Sequence, residues 1–179
     1  MRVDKVKNSR ELVRKYGIEY MAVIDEAYQK LYNFQPMTVA QKNYYKNMYF
    51  PILNFDFVTI VVNEKDEIVG VGLGMPDISD ALRKCDGKLF PFGWYHLLKA
   101  LKAKQMKSFS FLLIAVRPDY QNMGINALFL QDQIPIINRY GIRKLETTNM
   151  LEDNKKIIDF FSQFDHKIHK RHRAYIKTI

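Results

Sequence analysis

The chain of 179 residues has one cysteine, Cys85, and one tryptophan, Trp94. A single thiol closes no internal disulfide and by itself holds no zinc ion, so neither staple is open to this fold. No apolar run approaches the length needed to cross a bilayer, and the first residues, MRVDKVKNSRELVRKYG, lack the apolar stretch of a secretory leader. The expectation is a cytoplasmic protein with no membrane partner. Internal repeats and low-complexity tracts are absent, as is a serine in a nucleophile-elbow sequence. Cys85, in ALRKCDG, has no neighbouring motif that marks an activated thiol. Acidic residues are scarce: 19 Asp and Glu stand against 28 Lys and Arg, a net charge of +9.

What is present describes a globular chain. The length suits one domain over residues 1–179, and 47% hydrophobic with 26% charged residues excludes a disordered class. A basic surplus points to nucleic acid, an anionic surface or a small polyanionic ligand. Its densest part is the tail DHKIHKRHRAYIK, with Lys167, Lys170, Arg171 and Arg173 beside His166, His169 and His172. The alternation through Ile168, Tyr175 and Ile176 predicts one or two final strands with an exposed basic face. A charge-protected edge strand ranks ahead of a nucleic-acid patch, and no specific nucleic acid is expected. In a strand the histidine spacing alternates faces, so no metal site is expected either.

Periodicity supplies the elements. Leu12, Tyr16, Tyr20, Val23, Ala27 and Leu31 recur at helical spacing behind Ser9 as N-cap, with Gly17 as a point of interruption. A second helix is predicted after Thr38, ending at Tyr49 before Pro51. Residues 32–37 form an aromatic-rich loop. Runs at 57–62 and 68–75 flank Asn63-Glu64-Lys65-Asp66-Glu67 as a hairpin. Gly70, Gly72 and Gly74 have the wrong spacing for a nucleotide loop and mark a bulge or a face of close approach. A short helix at 79–84 and a loop at 87–92 lead through Phe92 and Gly93 into a basic amphipathic helix carrying Leu97, Leu98 and Leu101. A strand at 109–116, a helix from Gly124 to about Tyr140 with a kink or break at Pro135, and a strand at 142–148 follow. A last helix starts behind Asp153 or Asn154. The order predicts an α/β fold: a mixed sheet with helices on both faces.

The richest segment is FSFLLIAVRPDYQNMGIN, residues 109–126. An apolar strand stops at Arg117-Pro118, and Gln121, Asn122, Met123, Gly124, Ile125 and Asn126 pass into a helix. First-turn amides have no intrahelical partner, and with the helix dipole they favour an anion such as phosphate. The plainer account is an ordinary β-turn-α unit.

Val116-Arg117-Pro118-Asp119-Tyr120 followed by residues 121–126 resembles the pyrophosphate loop of the GCN5-related N-acetyltransferases. The upstream hairpin and the downstream strand, helix and tail follow that family's order, over about two thirds of the chain. Asn126 stands where the family has Gly or Ala. The resemblance implies the acyl-CoA N-acyltransferase fold, with a central, mostly antiparallel sheet, and acetyl-CoA as co-substrate. The implied contacts are Ile114, Ala115 and Val116 at the strand end, residues 121–126 in the loop, and Asn154 on the last helix. The acceptor would be a small-molecule or peptide amine. The family's general-acid tyrosine falls on Phe161, which has no proton to donate. Glu146, Tyr95 and Tyr175 are therefore the candidates for proton transfer, with His96 behind them, and each also reads as an ordinary structural residue. Two other classes stay open: a non-catalytic acyl-CoA-binding or regulatory domain, such as the C-terminal half of a longer protein, and a nucleic-acid module using the basic tail.

Overall fold

The run Val58–Val62 is buried at every position, which requires a strand covered on both faces. The computed structural model describes residues 1–173, 175 and 177. Its elements are β1 (Arg2–Asp4), α1 (Ser9–Tyr16), α2 (Glu19–Tyr28), α3 (Val39–Tyr49), β2 (Val58–Val62), β3 (Ile68–Pro76), α4 (Ser79–Lys84), α5 (Gly93–Leu101), β4 (Ser108–Val116), α6 (Ile125–Arg139), β5 (Lys144–Thr147) and α7 (Lys155–Ser162). By its contacts the chain separates into Met1–Thr148 and Asn149–Ile179.

The first unit holds a five-stranded sheet in sequential order, antiparallel through β4, with β5 parallel to β4. Side chains alternate across β2, so its two faces reach different layers. Val58, Ile60 and Val62 join Leu12, Tyr20, Val23 and Ile24 of α1 and α2. Val61 turns the other way, onto Ile125 and Phe129 of α6. A third cluster, Phe57, Phe109 and Ile142, closes the far end of the sheet beside the last turn of α6.

Local chemistry sets the boundaries. Thr38 and Gln41 form a reciprocal capping box at the start of α3. Gly17 at φ +56° ends α1. The cap of α1 is Asn8 and not Ser9: Asn8 Oδ1 accepts from Glu11 N at 3.0 Å, while the Glu11 carboxylate accepts from Lys7 N. β1 was not expected, and its three residues are strand because they pair with β2. Pro135 causes no break, since α6 runs through it as one helix of 15 residues. The spaced glycines of β3 make room for side chains. A Cβ at Gly70 would lie 3.1 Å from Ile125 and 3.2 Å from Phe129, and one at Gly74 would lie 1.9 Å from the Phe109 ring.

The second unit contains α7. The final strands expected of the tail are not formed among residues 163–173, all of which are exposed, and Ile176 lies outside the described residues. The reason is composition: from Asp165 to Arg173 the only apolar side chain is Ile168, too little to seat a strand on a sheet. An exposed Arg173–Glu152 ion pair at 3.2 Å joins the tail to the start of its own unit.

Candidate active site

Strand β4 carries an irregularity that its sequence does not announce. Leu73 pairs with Leu113 but Gly74 pairs with Phe111, so Leu112 is an extra residue, a β-bulge. Beyond it β4 loses its second neighbour. Pairing with β5 ends at Phe111 and Thr147, with Thr148 adding contacts from its N–H to Phe111 O and from its hydroxyl to Leu112 O. Among the described residues no strand pairs with that edge of β4 from Leu113 to Val116.

Strand alternation fixes which groups face that edge. Arg117 N–H donates to Val69 O of β3 at 2.9 Å. Ala115 and Leu113 must then also face β3, leaving Ile114 and Val116 toward the opening. Their carbonyls agree with this. Ile114 O accepts from the Tyr28 hydroxyl at 2.9 Å, and Val116 O from the Gln121 side-chain amide at 3.2 Å. The Ile114 and Val116 N–H groups remain as donors along the open edge. Tyr28, on α2, was not singled out from sequence. It lies outside the apolar stripe of Leu12, Tyr16, Tyr20, Val23, Ala27 and Leu31, and only the fold brings its hydroxyl to β4. Burial pushes its pKa up to about 12, so it stays a donor across the neutral range.

The loop after β4 is fixed at both ends. Pro118–Tyr120 makes a single 3₁₀ turn, with Gln121 N donating to Pro118 O at 3.2 Å. The Tyr120 hydroxyl accepts from Asn63 of the β2–β3 turn at 3.1 Å. Arg117 is neutralised by Glu19 and Glu26 of α2, each at 3.2 Å. Asn122 and Gly124 adopt φ of +64° and +79°, and a Cβ built at Gly124 meets no atom within 4 Å. Ile125 is buried beneath, anchoring the helix start. Ala127 N donates to Gly124 O at 3.0 Å, whereas no backbone carbonyl among the described residues takes the Ile125 or Asn126 N–H. Uncommitted amides, a helix N-terminus and open space beside Gly124 thus coincide. That set fits a phosphate group.

The other candidates are more scattered. Glu146 sits on β5 opposite Ser110, four residues before Ile114 and thus about 13 Å away along the strand. Tyr95 is exposed on α5, with its ring against Trp94 and His96. Asn154 occupies the N-cap position of α7 without a side-chain cap bond, and Phe161 packs on Phe160 at 5.0 Å, both in the second unit. Tyr175, also there, is exposed. Among the described residues no group of three or more His, Cys, Asp or Glu side chains is placed to hold a metal.

Comparison with solved structures identifies this architecture. PH1933 from Pyrococcus horikoshii superposes with a TM-score of 0.63 at 17% identity, covering 96% of this chain and 92% of that one. An aminoglycoside acetyltransferase from an uncultured soil metagenomic sample, solved with trehalose, gives 0.56 at 11% identity, covering 99% and 95%. Chaetomium thermophilum Naa20, in complex with a bisubstrate analogue, gives 0.54 at 12% identity over 91% and 69%. The chain has the fold of the GCN5-related N-acetyltransferases. No family model matches it. By sequence it is 34% identical to Escherichia coli protein YghO over 112 residues, 60% of this chain and 28% of that protein. It is 25% identical to a bacterial ceramide synthase of Caulobacter vibrioides over 162 residues, 88% of this chain and 42% of that protein. The chain thus spans less than half the length of either curated relative.

Proposed function

We propose that the chain is an acyl-CoA-dependent N-acyltransferase, and the observation that carries this reading is the open edge of β4 running into the Gly124 loop. The loop amides from Asn122 to Asn126, backed by the α6 dipole, would hold the pyrophosphate. The Ile114 or Val116 N–H would donate to the thioester carbonyl oxygen as negative charge develops there during attack by the amine. Tyr28, bonded to Ile114 O, holds the Ile114–Ala115 peptide that lies between the two donors. Thiolate is a fairly good leaving group, so Phe161 in the tyrosine position is compatible with turnover in which solvent or another residue supplies the proton.

The proposed acceptor class is an amine. One relative is named a ceramide synthase, and a ceramide is an amide, the kind of bond this reaction makes. That supports including lipid amines beside small-molecule and peptide amines in a screen. Glu146, Tyr95 and Tyr175 are the residues proposed for proton transfer, and Asn154 is proposed as a further cofactor contact. Phe161 also supports a second reading, a domain that binds acyl-CoA without catalysis.

Isothermal titration with acetyl-CoA and with a long-chain acyl-CoA tests the cofactor assignment before any acceptor is known. Saturable binding is expected, and its absence for both ligands ends the acyl-CoA reading. Once an amine supports turnover, Glu146→Gln should lower kcat/KM and alter its pH profile. If the variant matches the parent at every pH, Glu146 is structural.

A further inference from the structure

The connection between β3 and β4 presents to solvent what a globular surface usually covers. Leu89, Phe90 and Phe92 in the loop before α5 are 52%, 80% and 71% exposed, and Trp94 and Tyr95 on its first turn are 46% and 53% exposed. An isolated exposed phenylalanine needs no explanation, but five large apolar side chains within seven residues do. The segment is held in this shape. A Cβ at Gly93 would lie 1.8 Å from Lys88 O, so only glycine lets the loop close on the helix, and Trp94 N donates to Leu89 O at 3.0 Å. The rings are thus displayed on a closed turn.

The sequence on either side of them is basic. Residues 84–107 contain Lys84, Lys88, Lys99, Lys102, Lys104 and Lys107 against one acid, Asp86, a net +5 out of the chain's +9. None of these lysines forms an ion pair among the described residues, although Arg83 beside them pairs with Asp80. Exposed aromatic side chains flanked along the chain by exposed, unpaired lysines complement a surface that is apolar within and anionic at its face. A bilayer of anionic lipid has that profile. The Trp94 indole N–H already donates to Pro91 O at 3.0 Å, so the ring can leave water without orphaning its donor.

We propose that the α4–α5 connection is a membrane-docking wedge: Phe90, Phe92 and Trp94 enter the interfacial layer of an anionic bilayer while the flanking lysines engage lipid phosphates. No spanning segment is involved, since among the described residues no helix is long and apolar enough to cross. The proposal departs from the sequence expectation of no membrane partner, because a chain with no crossing segment can still lie on a bilayer surface. The inference does not depend on the acyltransferase reading, because it uses neither the β4 edge nor the Gly124 loop.

Trp94 is the only tryptophan, so its emission reports on the wedge alone. Vesicles of equimolar phosphatidylcholine and phosphatidylglycerol should shift Trp94 emission to the blue, and brominated lipid should quench it. Pure phosphatidylcholine vesicles should do so far less. The F90S/F92S variant changes only exposed side chains, so circular dichroism should match the parent while vesicle partition falls about tenfold or more. Replacing Lys84, Lys88, Lys99 and Lys102 by glutamine should lower partition about fivefold per lysine at low salt. Unchanged Trp94 emission with anionic vesicles overturns the proposal. So does a blue shift that follows protein concentration without lipid, which would make the wedge a contact between copies, or a shift produced by single-stranded RNA and not by vesicles.

Discussion

Gly124 concentrates the conformational demands of the cofactor loop in one residue. Its φ of +79° lies in a region that few L side chains other than Asn adopt readily, and a Cβ there would meet no atom within 4 Å. Gly124→Val should cost about 1–2 kcal/mol of stability through φ and also place methyl groups where a phosphate would approach. Gly124→Asn tolerates the left-handed conformation, so it should unfold near the parent midpoint yet still bind acetyl-CoA about tenfold more weakly. Calorimetry giving one affinity for all three proteins would remove the loop from the site. Tyr28 poses a simpler question, because its hydroxyl donates to Ile114 O and it is largely buried. Tyr28→Phe leaves that carbonyl without its donor and should cost about 1–2 kcal/mol in urea unfolding. An unchanged midpoint would mean that water takes over the bond.

At the scale of elements, two joints decide how β3 meets its neighbours. Asp77, just past β3, accepts from Ser79 N at 2.9 Å and from the Ser108 hydroxyl at 2.8 Å, tying the start of α4 to the start of β4. The hydrogen bonds from Ser79, then from Ser108, hold its carboxyl below the usual value. A depressed carboxylate stabilises the fold above its unfolded pKa of about 3.9, and that contribution is lost as pH falls through the lower folded value. Asp77→Asn should therefore be less stable than the parent at neutral pH, with the gap narrowing below about pH 4. Urea midpoints against pH measure it, and a constant gap would refute the assignment. The second joint is Gly74, under the Phe109 ring, which packs 4.5 Å from Phe57. Gly74→Ala should cost about 1–3 kcal/mol, with part of the loss recovered when Phe109→Leu is added. Simple additivity would place the clash elsewhere. The glycine pattern told from sequence that something approaches β3 closely; it did not tell that the visitors are side chains of α6 and β4. Caps such as Thr38 and breaks such as Gly17 were legible because the residues that make them lie within one helical turn. The bulge at Leu112 was not, since FSFLLIAV reads as an even strand and only its pairing with β3 reveals the extra residue.

On the scale of the whole chain, sequence order alone gave the mixed sheet with helices on both faces, while the relation of loop to strand edge needed the register. The tail failed as a strand because alternation with one apolar residue describes any charged coil as well as an edge strand. The division into two units sharpens what can be tested there. Among the described residues, every residue in the three buried clusters precedes Asn149, and the five strands lie within Met1–Thr148. Residues 1–148 expressed alone should thus unfold in one cooperative thermal transition. The β4 edge and the Gly124 loop belong to this unit, whereas Asn154 and Phe161 do not. If the loop amides supply most of the cofactor's hold, the shortened chain should still bind acetyl-CoA. Loss of a single hydrogen bond from Asn154 amounts to about 1 kcal/mol, roughly a fivefold weaker Kd. Asn154→Ala in the full chain should show the same fivefold change. A full chain that binds and a shortened, folded chain that does not would shift the main binding determinants to residues 149–179. Equal affinity across all three proteins would instead leave the loop and the β4 edge sufficient and exclude Asn154 from the site.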